Sequence, residues 1–215
     1  MSQNRPPRSG KIPYSLILIA AIAAGLGLWL GQSLFTTSPV KPPVQNMRLL
    51  DVPRALPDFV LDGSDGQAID KTTLAGHYTL VFLGFTHCPD VCPTTLQDLA
   101  RAEKLWADLP EAQRPRILFI SVDPERDTPE QLGNYAGFFS PTILSGTNDV
   151  DALTRLAASL NMVFAKVPLD DGGYSIDHTS WVAVLDPDTN LAGFIPPPLD
   201  AATIAADMKL LVKSR

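Results

Sequence analysis

The chain has 215 residues and a formal net charge of −6, with 45% hydrophobic and 19% charged residues. These values are ordinary for a globular protein, so they exclude a disordered chain and a membrane protein with many spans. Two cysteines are too few for a disulfide-dense secreted scaffold, and the acidic balance excludes a typical nucleic-acid-binding protein. The charge is unevenly divided: residues 1–57 hold six of the 17 basic and one of the 23 acidic residues, which leaves the remainder at about −11.

The N-terminal segment is predicted to be a membrane anchor. Residues 12–40 carry no charge, and the stretch 12–35 exceeds the roughly 20 apolar residues that cross a bilayer. Three basic residues precede it: Arg5, Arg8 and Lys11. This flank predicts that residues 1–11 are cytoplasmic and that the rest of the chain lies across the membrane. The alternative is a cleaved signal peptide, which has a shorter apolar core and a small-x-small site. The N-terminal segment is not rich in Arg and Ser, as an organelle transit peptide would be. It therefore favours a bacterial inner membrane, with the rest of the chain in the periplasm.

Residues 36–57 are predicted to form a tether between the anchor and the body. Five prolines in this segment disfavour regular structure and favour an extended chain: Pro39, Pro42, Pro43, Pro53 and Pro57. The globular domain is therefore expected over residues 58–215.

The domain alternates strand and helix patterns. Continuous apolar runs at 78–85 and 117–122 are typical of strands that are covered on both faces. Further strands are predicted at 141–145, 180–185 and 191–195, and helices at 93–108, from Thr128, at 149–160 and at 201–212. This order predicts an α/β protein with a central mixed β-sheet flanked by helices.

A pair of cysteines follows the first strong strand, in the sequence His87-Cys88-Pro89-Asp90-Val91-Cys92-Pro93. If Pro93 starts a helix, Cys92 lies near its N-terminus, where the helix dipole lowers the pKa of a thiol. A helical spacing of four residues gives a Cα separation of about 6 Å, so the two thiols can form a disulfide or bind one metal ion. A purely structural disulfide is the simplest alternative, although it would close a short loop and stabilise little.

Copper is one metal that suits this pair, because thiolate is soft and imidazole accepts either oxidation state of copper. The histidine candidates are His77, His87 and His178. A surface role is expected for His77, and His87 is expected beside the ligands rather than among them. His178 precedes the predicted strand 180–185, and it approaches the cysteines if that strand lies beside 78–85.

Three motifs together resemble the Sco/SenC family of copper proteins: Cys88–Pro93, Ser121–Pro129 and Asp177–Thr179. The resemblance covers about residues 57–213, and it implies a thioredoxin-like fold. It also implies one copper ion per chain, Cu(I) or Cu(II), on Cys88, Cys92 and His178.

The family resemblance also implies a role. That role is delivery of copper to the CuA centre of cytochrome c oxidase subunit II, or reduction of that centre's cysteines. The protein would then be a metallochaperone rather than an enzyme. Another periplasmic copper chaperone or a thioredoxin-like reductant would be a further partner.

Several polar residues near the motifs are secondary candidates. His87, Asp90 and Asp177 are interpreted as neighbours that orient a ligand or stabilise the cysteine loop. A second group has two open interpretations, partner docking or loop and cap structure: Asp123, Arg126 and Asp127.

Three other functions would use the same residues. A thiol-disulfide oxidoreductase or redox sensor is disfavoured by the Cys-x3-Cys spacing and by His178-Thr179-Ser180, which lacks the cis-proline of thioredoxin-like reductases. A peroxidase is disfavoured because Thr86 stands only two residues before Cys88. Zinc remains open on ligand type, since two Cys and one His leave a position for an Asp.

Overall fold

The computed structural model describes residues 14–35, 42–170 and 172–214. The chain divides into two compact units between Lys41 and Pro42. In the first unit, helix α1 runs over Tyr14–Phe35. Among the residues that the structure describes, no helix is long and apolar enough to span a membrane. The predicted basic flank and residues 36–41 of the predicted tether lie outside the described residues.

The second unit is built on an eight-stranded mixed sheet. Its strands are β1 (Arg48–Ala55), β2 (Val60–Gly63), β3 (Ala68–Asp70), β4 (Thr79–Gly84), β5 (Arg116–Ser121), β6 (Leu144–Thr147), β9 (Val182–Leu185) and β10 (Asn190–Ile195). The order is β1-β10-β9-β4-β5-β6-β2-β3. β5 pairs in parallel with β4 and β6, and the other neighbours are antiparallel. β7 (Phe164–Pro168) and β8 (Tyr174–His178) form a separate antiparallel hairpin.

The described part of this unit also holds a short 3-10 helix (Glu111–Gln113) and five α-helices: α2 (Lys71–Leu74), α3 (Val91–Leu105), α4 (Pro129–Phe139), α5 (Val150–Ser159) and α6 (Ala201–Lys213). Side-chain caps explain where three of them begin. Thr128 forms a capping box with Gln131 before α4, while Asp149 and Asp200 cap α5 and α6. The predicted mixed sheet flanked by helices is confirmed.

The apolar run predicted as the first strong strand forms the centre of the core. All six residues of β4 are buried, as expected for a strand covered on both faces. Phe82 of β4 stacks on Phe119 of β5, with ring centroids 6.2 Å apart. β9 lies antiparallel to β4, with Val81 opposite Ala183. β9, which follows His178, therefore lies beside β4, and this meets the condition under which His178 was expected to approach the cysteines.

The structure differs from the prediction of a tether over residues 36–57, because β1 lies inside that segment. β1 is an edge strand, where a proline such as Pro53 is tolerated, and its register with β10 shifts between Leu49 and Arg54. The buried Asp207 carboxylate of α6 also fixes this segment by accepting hydrogen bonds from three backbone N–H groups, those of Gln45, Asn46 and Met47. The compact unit therefore includes residues 42–57, most of the segment that the prolines predicted to be irregular.

Candidate metal centre

The two cysteines lie where the chain leaves β4 and enters α3. Cys88 is in the connecting loop, and its N–H donates to the carbonyl oxygen of Phe85 at 3.3 Å. Cys92 is the second residue of α3 and is fully buried. Its N–H points at Cys88 Sγ, 3.5 Å away. The α3 N-terminus thus directs a backbone donor at the partly exposed sulfur of Cys88.

Gly84 makes room for the buried thiol. A Cβ atom on this residue would lie 2.7 Å from Cys92 Sγ and 2.9 Å from Phe119 Cε2. No ordinary side chain fits there, so the last residue of β4 must be glycine for Cys92 to pack over the strand end.

His178 ends β8 and turns its ring toward the thiols. The imidazole packs edge-on against Phe82 and Phe85, with ring centroids 5.7 and 6.2 Å away. Nδ1 lies 3.0 Å from the carbonyl oxygen of Thr179, to which it can only donate. This bond makes Nε2 an acceptor, and Nε2 lies 3.5 Å from Cys92 Sγ, whose S–H can donate to it when no metal is bound. Metal-binding histidines are usually oriented in this way, by a hydrogen bond at the ring nitrogen that does not bind the metal.

The structure brings together the three residues that the resemblance named as ligands. Cys88 Sγ, Cys92 Sγ and one ring nitrogen of His178 all lie within 4.8 Å of one another. Both cysteines are free thiols. Two soft sulfurs and one imidazole form a donor set for copper and, on ligand type alone, for zinc.

Burial sets the protonation states of the site. It raises the pKa of the Cys92 thiol far above its ordinary value, with only partial relief from a backbone hydrogen bond involving Phe85. The predicted lowering at the helix N-terminus is therefore wrong for Cys92, because the desolvation of a fully buried thiolate outweighs the dipole. Burial also lowers the pKa of His178, against the opposing effects of the bond to Thr179 and the charge of Asp177. At neutral pH a metal ion would meet a neutral imidazole and would have to displace a proton from Cys92.

The predicted neighbours occupy other positions than expected. Asp177 is exposed and acts on His178 through charge, while the orienting hydrogen bond comes from Thr179. Asp90 precedes α3, where its carbonyl oxygen, rather than its carboxylate, accepts bonds from Thr94. The Nδ1 atom of His87 lies 3.1 Å from Thr86 Oγ1 and 3.5 Å from Asp127 Oδ1.

The loop after β5 is an internal support of the site. Asp123 and Asp127 are buried, so partner docking is not available to them. Asp127 accepts bonds from the Thr86 N–H at 2.9 Å and from Ser121 Oγ at 2.6 Å, which fastens the cysteine loop to β5. Together with His87 these carboxylates could be read as a second metal cluster. Their oxygens already accept bonds from Arg126, Thr86 and Ser121, so their arrangement is explained without an ion.

Sequence patterns did not single out Gly84, Thr179 or Tyr174. The Tyr174 hydroxyl donates to Asp123 Oδ1 at 2.8 Å. Desolvation and this bond raise the pKa of Tyr174 to about 12, so the hydroxyl stays a donor. The only available signal was its position four residues before His178, which in a strand places both side chains on one face.

Comparisons with known proteins agree with this geometry. The family model described as SCO1/SenC matches residues 50–213. A putative copper-binding protein from Stutzerimonas stutzeri is 36% identical over 72% of this chain and 75% of its own length. Copper-bound ScoI from Bradyrhizobium japonicum has a TM-score of 0.65 and 35% identity, over 72% of this chain and 98% of that one. Apo Sco1 from Thermus thermophilus has a TM-score of 0.67 and 32% identity, over 81% and 99% of the two chains. The fold is therefore the thioredoxin-like fold that the family resemblance implied.

Proposed function

The chain belongs to the SCO1/SenC family, and from this premise we propose that it binds one copper ion per chain and serves cytochrome c oxidase assembly. Cys88, Cys92 and His178 would hold the copper. The observation that carries the proposal is the convergence of these three donors within 4.8 Å, with Nδ1 of the imidazole bonded to Thr179 and Nε2 facing the sulfurs.

The binding step follows from the chemistry of these residues. Binding of Cu(I) replaces the thiol proton of Cys92 with a copper–sulfur bond and releases that proton to solvent. His178 adds a neutral nitrogen and needs no deprotonation, because burial already lowers its pKa. Cys88, which is only partly buried, offers the side of the site that a partner can reach.

Copper is the cargo in this proposal, and the recipient is the CuA centre of cytochrome c oxidase subunit II. We further propose that residues 12–35 anchor the protein in the bacterial inner membrane, with the second unit in the periplasm. Support comes from the uncharged stretch that follows Arg5, Arg8 and Lys11. This arrangement would keep the copper site in the compartment that a periplasmic CuA domain faces.

A second candidate function is reduction of the CuA cysteines. The free thiols of Cys88 and Cys92, only one of which is buried, favour it. The Cys88 thiolate would attack a disulfide of the partner and form a mixed disulfide. Cys92 would then displace the partner, leaving two thiols on the partner and a Cys88–Cys92 disulfide here.

The first test measures copper binding by the full-length chain under reducing conditions. We expect one Cu(I) per chain, and one Cu(II) with sulfur-to-copper charge-transfer absorption. The variant His178→Ala should weaken binding and change the spectrum. His77→Ala is the matched control, because His77 bonds to the backbone of Arg114, two residues before β5, rather than to the thiols. Identical behaviour of the two variants would refute the ligand assignment.

The second test separates the two functions. The copper-loaded chain is mixed with a reduced apo CuA domain, and the copper-free reduced chain with an oxidised one. Transfer of copper without loss of thiols supports delivery. Disulfide exchange without transfer supports reduction and overturns delivery.

A further inference from the structure

We propose that Tyr174 and Arg126 are positioning residues that lock the β7–β8 hairpin in place and thereby set His178 at the copper site. The inference rests on the copper binding proposed above. It assigns a role to the loop after β5 that differs from partner docking and from helix capping.

The third ligand lies on an element that is not part of the main sheet. His178 is the last residue of β8, and its backbone pairs with Phe164 of β7 in the separate two-stranded sheet. The cysteines, in contrast, are joined directly to the end of β4 in the centre of the core. The distance between nitrogen and sulfur therefore depends on how the hairpin is held against the rest of the domain.

One face of β8 carries the groups that hold it. Side chains two residues apart in a strand share a face, so Tyr174, Ile176 and His178 point the same way. Ile176 is buried in the core. Tyr174 and His178 flank it, so the same strand face meets the loop after β5 at one end and the thiols at the other.

Tyr174 is fixed from three directions. Its hydroxyl donates to Asp123 Oδ1 at 2.8 Å. Its ring lies 3.8 Å from the guanidinium carbon of Arg126, within the range of a cation–π contact. Its carbonyl oxygen accepts a bond from Arg126 Nη1 at 3.1 Å. Arg126 itself donates through Nε to the fully buried Asp123 at 2.5 Å. We call these contacts among Tyr174, Arg126 and Asp123 the clamp, and Asp123 anchors it inside the domain.

The same arginine reaches the surroundings of the imidazole. Its guanidinium carbon lies 5.8 Å from the ring centroid of Phe85, and Phe85 packs edge-on against His178. Arg126 therefore contacts the hairpin at Tyr174 and also Phe85, one of the two aromatic rings that pack against His178. Loss of the clamp would loosen the histidine while leaving the thiols attached to β4 and α3.

A neighbouring ion pair supplies a matched control. Lys166 of β7 binds Glu125 at 2.5 Å, and both side chains are largely exposed. Exposed pairs of this kind contribute little. Glu125 also accepts a 3.3 Å hydrogen bond from the Tyr174 hydroxyl, and glutamine keeps an acceptor oxygen for it. The variant Glu125→Gln therefore removes a charge from the same loop while leaving the contacts among Asp123, Arg126 and Tyr174 in place.

The test uses the full-length chain with Cu(I) as the probe, titrated in competition with a chelator of known affinity. We expect Tyr174→Phe and Arg126→Lys to weaken Cu(I) binding by about 10–100-fold, as removal of outer partners of a metal ligand usually does. Glu125→Gln should stay within about twofold of the wild type. A wild-type affinity in both clamp variants would overturn the proposal.

A double-mutant cycle identifies the ligand through which the clamp acts. In a His178→Ala background the two thiols still bind Cu(I), and Tyr174→Phe should then have no further effect. An equal loss in both backgrounds would mean that the clamp supports the thiol loop or the fold in general, and the proposal would be wrong.

A measurement without copper separates this inference from the proposed function. Amide hydrogen exchange of the copper-free Tyr174→Phe variant should be faster over residues 164–178 than in the wild type, with exchange in β4 and β5 unchanged. If the wild type binds no copper, the proposed function fails, while the exchange experiment still decides whether Tyr174 holds the hairpin. Unchanged exchange in the hairpin would overturn the clamp whatever the copper result.

Discussion

Replacing Gly84 with alanine should disturb the fold and the metal centre together. The added Cβ atom would lie 2.7 Å from Cys92 Sγ and 2.9 Å from Phe119 Cε2. Neither neighbour can move freely, because both side chains are fully buried and the Phe119 ring stacks on Phe82. Relief to an ordinary contact distance of about 3.5 Å would require the sulfur to move by about 0.8 Å.

The size of the effect follows from these contacts. One extra carbon in a packed core costs about 1–3 kcal/mol. In a unit of this size the melting temperature should fall by about 2–4 °C for each kcal/mol lost. Metal–ligand distances tolerate only about 0.2 Å of error. A sulfur displaced by several times that amount should therefore weaken Cu(I) binding by about 10–100-fold, the loss seen when outer supports of a metal ligand are removed.

The assay compares thermal unfolding and Cu(I) competition for the wild type, Gly84→Ala and the control Gly137→Ala. Gly137 lies in α4, and a Cβ there would meet nothing within 4 Å, so alanine should stabilise the helix by up to about 1 kcal/mol. An unchanged melting temperature for Gly84→Ala would refute the predicted clash. A lowered melting temperature with unchanged copper affinity would show that Phe119, rather than Cys92, gives way.

Three further results are expected. Because folding raises the pKa of Cys92, the folded protein keeps a proton that the unfolded chain loses above about pH 9. The reduced copper-free protein should therefore lose about 1.4 kcal/mol per pH unit more than Cys92→Ala above that pH in urea titrations, and parallel curves would contradict this. Cu(I) loading at pH 7 should release at least one proton per copper into weak buffer, and no release would contradict a buried thiol as ligand. Asp207→Ala should lower the free energy of unfolding by about 1–3 kcal/mol in urea titrations, because three backbone N–H groups lose their acceptor; an unchanged value would mean that water replaces it.

The central strands could be predicted because their residues are buried on both faces. The runs that form β4 and β5 are continuous and apolar, and no packing information was needed to recognise them. The hairpin was missed for the opposite reason. β7 is mostly exposed and β8 is only partly buried, so neither shows a clear apolar pattern. β1 was missed because Pro53 argues against a strand unless the strand is known to lie at an edge.

The ligand residues could be proposed from sequence, but their chemical state could not. The spacing of Cys88 and Cys92 and the position of His178 before a strand are visible in one chain. The raised pKa of Cys92 comes from how closely β4 and α3 pack over it, which depends on Gly84 and on residues far along the chain. Reasoning from the helix N-terminus alone therefore predicted the wrong direction for the pKa shift of Cys92.

The thiol of Cys92 and the imidazole of His178 are held in place by different kinds of contact. Cys92 is fixed by the buried junction of β4 and α3, where its sulfur fills the space above Gly84. His178 is held by the β7–β8 hairpin, by edge-on packing against Phe82 and Phe85, by the bond from Nδ1 to Thr179, and through the polar contacts of Tyr174 on the same strand. Core packing is lost only with the fold, whereas hydrogen bonds at the partly exposed Tyr174 and Arg126 can exchange with water or with groups of another protein. If the chain delivers copper as proposed, the imidazole is therefore the donor that a docking partner would withdraw at least cost, while the thiols would hold the copper until the partner's own ligands replaced them.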